Sequence, residues 1–458
     1  MDDGKRETGR GRATWPPVTI LVLTICAVAV VADGYDVVVF GTVIPSLLRE
    51  RGWGLTPADV GLIGSVALTG MLIGATVAGT LTETVGRRMM LIGCLAWFSA
   101  MTGLCAIAPT PEVFGALRFL AGLGLGGVMP IATALAGEYS HPKKRNLVFA
   151  ILFSGMPVGG IIASLTGTYL IPRHGWQAMF LPGLIPLVLV VPFALKYLPE
   201  SVSFLRAKGR DAAARKIADR WHVSLDAPQE MSAPGQVPAG HDETGAVALV
   251  KGLFSRRYIV ATGCFLAMTF LCLFVIYGFN TWLPEIMRRA GYSSGSALGF
   301  LLMFNLGGFL GALVISLVAD RLGSKPIIVT TFLLGSAAVM VLSLHLPTAV
   351  LYGAVALGGA GAMGTQTFVF AYVSKHYPVR MSAAAMGWTV GFGRLGSMLA
   401  PTLLGLIIGA GLAFQWNFYA LAVPGVLGAA LVGLVPRRLD ARSSVGADRA
   451  AHAVAEQI

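Results

Sequence analysis

Two aspartates, Asp33 and Asp36, stand three residues apart in the run Val30-Val31-Ala32-Asp33-Gly34-Tyr35-Asp36-Val37-Val38-Val39. At about 100° per residue, that spacing places both carboxylates on one face of a helix. In a medium of low dielectric each disfavours the charge of the other, so the pair is suited to taking up and releasing a proton near neutral pH. Two arginines have a similar setting, Arg118 in Leu117-Arg118-Phe119-Leu120-Ala121-Gly122 and Arg394 in Gly391-Phe392-Gly393-Arg394-Leu395-Gly396. A cation left unpaired in apolar surroundings costs several kcal/mol or more, so each arginine needs an anion. The aspartate pair can serve Arg118. For Arg394 two readings stand side by side: a substrate carboxylate gripped fork to fork, or Asp33 and backbone carbonyls reached from another part of the fold.

The elements that hold these residues are membrane spans. Of the 458 residues, 55% are hydrophobic and only 12% charged, and mean hydropathy is +0.74, whereas a soluble chain carries about 25% charged residues. A net charge of +12 suggests nucleic-acid binding only where basic residues cluster with aromatics on a soluble face; here they lie between apolar runs. Cys26, Cys94, Cys105, Cys264 and Cys272 all sit inside apolar stretches without metal-ligand spacing, so neither a zinc site nor a disulfide framework is expected, and no cofactor is. The first apolar segment is long, holds two aspartates and lacks a small-residue cleavage site, which reads as a retained helix rather than a signal peptide.

A span needs about 20 mostly apolar residues. Twelve stretches qualify: 18–44, 58–81, 89–108, 112–136, 146–170, 177–197, 257–283, 296–319, 326–344, 348–373, 383–410 and 415–435. They predict an all-α membrane protein of two pseudo-symmetric six-helix bundles, 18–197 and 257–435. A cytoplasmic tail (1–17), a central cytoplasmic loop (198–256) and a second tail (436–458) complete the expected organisation. With both termini cytoplasmic, only Arg49, Arg51, Arg173, Arg288 and Arg289 fall outside and only Arg118 and Arg394 within spans; every other lysine and arginine is cytoplasmic, as the positive-inside rule requires. The halves also repeat. Ile44-Pro45 through Gly52-Trp53 parallels Leu283-Pro284 through Gly291-Tyr292, and Gly79 to Arg88 parallels Ser316 to Lys325 at nearly the same offset, the mark of a duplicated transporter unit enclosing a site near the midplane.

The segment Gly79-Thr-Leu-Thr-Glu83-Thr-Val-Gly86-Arg87-Arg88 and its counterpart Ala319-Asp320-Arg321-Leu322-Gly323-Ser324-Lys325 resemble the GxxxDRxGRR signature of the major facilitator superfamily; the first copy has Glu83 for Asp and Thr84 for Arg. Arg118 to Gly126 looks like the RxxxGxxxG pattern of its proton-coupled members. Asp33-Gly34-Tyr35-Asp36 resembles the hallmark of the aromatic acid:proton symporter family, joined by Glu138-Tyr139, Tyr277 to Pro284, and Gly393 to Gly396; Pro199-Glu200-Ser201 is similar to a stretch common after helix 6. The resemblance implies a benzoate- or gentisate-type symporter in the cell inner membrane, a monomer driven by the proton gradient, with no enzymatic activity and no nucleic-acid partner.

Within that reading Asp33, Asp36 and Arg118 couple protons, Asp36 and Arg118 lying about 12 Å and 9 Å below the external surface. Substrate contacts are expected from Arg394, from the aromatic residues Tyr35, Trp282 and Trp388, and from the amides Asn280 and Asn305, which need polar partners in a span. Gly79, Glu83, Arg87, Arg88, Glu138, Arg145, Asp320, Arg321 and Arg380 are expected to gate the cytoplasmic side. The competing readings are a proton-coupled carrier of another cargo, such as a drug antiporter or a carrier of other organic acids, and a membrane sensor of aromatic acids that does not transport.

Overall fold

The structure, a computed structural model, describes residues 17–50, 52–141, 144–221, 249–322, 324–344 and 346–436. The tails, most of the expected central loop, and the side chains of Arg145, Asp320, Arg321 and Arg380 lie outside the described residues. The first half comprises α1 (Pro17–Leu47), α2 (Pro57–Val85), α3 (Arg87–Leu104), α4 (Pro111–Glu138), α5 (Arg145–His174) and a composite sixth span ending in α6 (Val191–Tyr197). Two short helices follow, α7 (Val202–Ala207) and α8 (Asp211–Trp221). The second half comprises α9 (Ile259–Arg289), α10 (Ser294–Leu322), α11 (Ser324–Val341), α12 (Thr348–His376), α13 (Val379–Gly409) and α14 (Gln415–Leu434). Eleven of these spans have the length and apolar composition to cross a bilayer, and α11 is a shorter apolar helix.

Local sequence sets the ends. Thr56 and Asp59 form a capping box ahead of Pro57, and Thr110 caps α4 ahead of Pro111; both place proline where its missing N–H costs nothing. Gly86, at φ +99°, makes the tight turn between α2 and α3, a conformation glycine adopts without penalty.

Two spans differ from expectation. The sixth is a 3₁₀ stretch (Trp176–Leu184), a π stretch (Pro186–Val190) and then α6, because Pro182, Pro186 and Pro192 each remove a helical donor. Ser99 on α3 repairs the break by donating to the Gly183 carbonyl and accepting from Leu187 N at 3.1 Å. The seventh, α9, runs six residues beyond the expected end at 283. Glu285 is therefore inside the helix and fully buried, neutralised by Arg288 (2.6 Å) and Arg289 (2.9 Å) one turn on.

The antiparallel order puts the start of α1, the end of α14 and the α2–α3, α10–α11 and α12–α13 turns at one end, called the near end below; the α1–α2 and α9–α10 loops lie at the far end. At the far end a single core draws on both bundles: Ile44, Phe114, Trp176 and Phe180 pack in one cluster with Trp282, Ile286, Phe304 and Ile408. Backbones touch there. Gly41 lies against the carbonyls of Asn280 and Thr281, Gly61 against that of Pro401, and Gly405 against that of Pro57. Ser65 Oγ donates to Met398 O at 2.5 Å and is 2.7 Å from Thr402 Oγ1. Toward the near end the cores separate. One, with Ile25, Leu95, Leu135 and Leu152, belongs to the first bundle apart from Tyr277 and a few partly buried neighbours; the other, with Phe265, Ile328, Phe332 and Val432, draws only on the second. The bundles are thus sealed together at the far end and packed independently at the near end.

Candidate functional site

The first functional cluster is built by α1, α3 and α4 around Asp36. Gly34, between the two aspartates, leaves no space for a side chain under the Met156 carbonyl of α5, which fixes α1 in depth and rotation. Arg118 Nη1 then reaches both Asp36 carboxylate oxygens, at 3.0 and 2.9 Å, and Nη2 donates to the Asp36 carbonyl at 3.1 Å. Thr102 Oγ1 on α3 donates to Asp36 Oδ1 at 2.5 Å. The guanidinium also sits 5.7 Å from the Phe40 ring centre. Asp36 is 1% and Arg118 4% exposed. Removing either partner from a buried pair of this kind strands a charge, at a cost of roughly 3–5 kcal/mol.

Asp33, 2% exposed, is not part of that pair, and its Oδ1 has no hydrogen-bond partner. It feels instead the charge of Arg394 from α13, together with that of Asp36. Arg394 is half-buried and donates from Nη1 to Tyr277 Oη on α9 at 3.1 Å. A narrow cleft runs between α1, α2 and α4 of the first bundle and α9 of the second, reaching from the Asp36–Arg118 pair to Tyr277. Asp36, Arg118, Tyr277 and Thr281 supply its polar wall, and Phe40, Leu68, Met71 and Leu125 much of its apolar one.

The other residues expected to contact substrate are placed elsewhere. Tyr35 donates to Met179 O at 2.8 Å, toward the sixth span. Trp282 is fully buried in the far-end seal and donates to Pro401 O at 2.8 Å. Asn305 Nδ2 donates to Asn280 Oδ1 at 3.1 Å and to Leu301 O at 3.0 Å, with its amide over Gly160 of α5; this buried amide pair lies where the bundles meet. Trp388 is 44% exposed and packs edge-on to Phe254 at 5.5 Å, away from the cleft.

At the near end, Arg87 pairs with Glu138, which also accepts from Ser201 Oγ at 2.9 Å. Glu200 accepts from the backbone N–H groups of Arg88 (3.0 Å) and Ser201 (2.9 Å), and Arg88 donates to the Leu195 carbonyl. Tyr139 donates to Glu200 O at 2.6 Å and its own carbonyl accepts from Thr19 at 2.6 Å. Burial, with Glu138 and Glu200 close by, pushes the Tyr139 phenol far above its ordinary value, so it stays a donor at any physiological pH. This network joins α1, α3 and α4 to the α6–α7 segment. Gly79 and Glu83 are on an exposed face of α2, apart from it. The signature loop pointed to Arg87 and Arg88, and the resemblance included Tyr277, whereas Thr102 had no role foreseen in the cluster.

Two helical bundles sealed at one end, with a buried ion pair and a cleft at their interface, define a membrane carrier. The Major Facilitator Superfamily model matches residues 26–401, with a second match over 303–456. The chain is 35% identical to the benzoate transport protein of Acinetobacter baylyi over 91% of its own length and 89% of the relative's. It is 36% identical to the gentisate transporter of Corynebacterium glutamicum, covering 89% and 85% respectively, and 31% identical to the 4-hydroxybenzoate transporter of Acinetobacter baylyi, covering 89% of each. Among solved structures, the inward-open xylose transporter XylE of E. coli superposes with a TM-score of 0.69 at 16% identity, over 91% of this chain and 96% of that one. The chain therefore belongs to the major facilitator superfamily, in the group that holds these aromatic-acid transporters.

Proposed function

We propose that this protein imports a small aromatic carboxylate, benzoate or a hydroxybenzoate, together with protons, as a monomer in the cell inner membrane with both termini cytoplasmic. The reading is carried by the Asp36–Arg118 pair in the wall of a largely apolar interbundle cleft, in a chain related to proteins named for benzoate, gentisate and 4-hydroxybenzoate. Apolar walls suit an aromatic ring, and buried ionisable residues in a span suit proton relay. In this orientation the near end is cytoplasmic and the conformation is inward-facing: the far-end seal closes the external path while the near-end cores stand apart. Asp36 and Arg118 hold the coupling pair, Asp33 exchanges the proton and Arg394 receives the substrate carboxylate. The near-end network around Arg87 and Glu138 belongs to the cytoplasmic gate.

The test is uptake of labelled benzoate, gentisate, 4-hydroxybenzoate and protocatechuate into proteoliposomes, with and without an inside-alkaline pH gradient. At least one acid is expected to accumulate, and only with the gradient. Uptake of none overturns the substrate reading; accumulation without a gradient overturns the coupling.

A further inference from the structure

We infer that Asp33 and the substrate carboxylate compete for the charge of one cation, Arg394, whose partner Tyr277 offers its hydroxyl to the substrate, so that Asp33 must be protonated before substrate binds. The inference rests on the aromatic-acid reading above and assigns Tyr277 to the binding site. A guanidinium has donors only, so in the 3.1 Å contact with Arg394 the Tyr277 oxygen is the acceptor and its own O–H remains free to donate. Tyr277 is 5% exposed and lines the cleft beside Asp36 and Arg118. Among the described residues it is the one buried second-bundle member of the first bundle's near-end core, the others there being partly buried. Its hydroxyl therefore stands at the junction of both bundles, polarised by a cation.

The charges around it decide what that donor can hold. Asp36 is occupied by Arg118 and Thr102. Asp33 is buried with an oxygen that nothing satisfies. The charged or titratable groups acting on it are Asp36 of its own helix, Arg394 of α13 and Tyr277 of α9; α4 brings Arg118, already taken by Asp36, and α5 sets Gly155, Met156 and Gly159 against this stretch of α1. With the site empty, ionised Asp33 balances Arg394. Substrate brings a second carboxylate to the same cation, and two carboxylates sharing one cation in low dielectric do not both stay ionised. Protonated Asp33 leaves the Arg394 charge and the free Tyr277 O–H to the substrate, whose ring then lies along Phe40, Met71 and Leu125. The site is neutral in both states, with Asp33⁻ and Arg394⁺ before binding and Asp33-H, Arg394⁺ and the substrate anion after. One proton thus enters with each monocarboxylate, and the step moves no net charge.

The experiment is equilibrium binding of labelled benzoate, gentisate and 4-hydroxybenzoate to purified full-length protein at pH 6 and pH 8. The variants are Asp33→Asn and Tyr277→Phe, each checked for monodispersity. Wild type is expected to bind more weakly at pH 8. Asp33→Asn should bind at pH 8 as tightly as wild type at pH 6, with the pH ratio gone. Tyr277→Phe, losing one charge-assisted hydrogen bond, should bind roughly tenfold or more weakly at both pH values. An Asp33→Asn protein that keeps the wild-type pH ratio, or a Tyr277→Phe protein of unchanged affinity, overturns the inference and leaves the aromatic-acid reading standing. Wild type that binds none of the acids overturns that reading, and the inference with it.

Discussion

The Asp36 carboxylate takes two donor groups at once, Arg118 Nη1 reaching both of its oxygens and Thr102 Oγ1 one of them, while Asp33, one turn away, has an oxygen with none. On the proposed reading the neighbours divide the work, Asp36 orienting Arg118 and Asp33 exchanging the proton. Substituting Asp36→Asn removes the charge that Arg118 needs. The expected outcome is loss of gradient-driven accumulation by tenfold or more with substrate counterflow retained in part, measured on the same proteoliposomes; undiminished accumulation would show that the pair is structural only. Both aspartates and both arginines were legible in the sequence because an ion inside an apolar run has few innocent explanations. Thr102 and the bond of Tyr277 to Arg394 were not, since hydroxyls in spans usually bond their own helix, and the contacts that give these two a role join residues 66 and 117 positions apart.

Among the elements, the close approach of α1 to α9 and of α2 to α13 depends on residues without side chains. Gly41 and Gly61 leave the facing carbonyls no room for even a methyl group. A valine at Gly41 should therefore pry the far end apart. Ser65→Cys in an otherwise unchanged chain should react slowly with a membrane-impermeant thiol reagent added from outside, and several-fold faster once Gly41→Val is added; equal rates would show that the seal does not depend on this contact. The five native cysteines are all buried, which keeps the background low. Span positions were readable from hydropathy because lipid demands length and apolarity. The broken sixth span was not, although Pro182, Pro186 and Pro192 lay in view. Proline shows that a helix is interrupted, but the 3₁₀ and π geometry that results depends on Ser99 of another helix satisfying the freed backbone. The end of α9 was misplaced because Glu285 looks too polar for a span until Arg288 and Arg289 fold back onto it.

For the whole molecule, the repeat in the sequence announced two bundles but not which end holds them together. That is set by where both bundles present glycine and apolar surface to one another, a matter of depth and rotation that no single segment reveals. One shared core at the far end and two private cores toward the near end let each bundle keep its own packing while the bundles rock, so the motion disturbs only the shared interface.

Trp282 lies in that interface. Its indole is fully buried, bonded to Pro401 O and covered at Gly405 where α13 meets the start of α2; Trp97, Trp388 and Trp416 are already exposed. Opening the far end strips cover from Trp282 while its own hydrogen bond moves with the second bundle. The protein thereby carries an intrinsic optical reporter of its state. Emission should shift to the red when the far end opens, as in Gly41→Val, and the shift should shrink when Trp282→Phe is added, so that turnover can be followed by light without attaching a label.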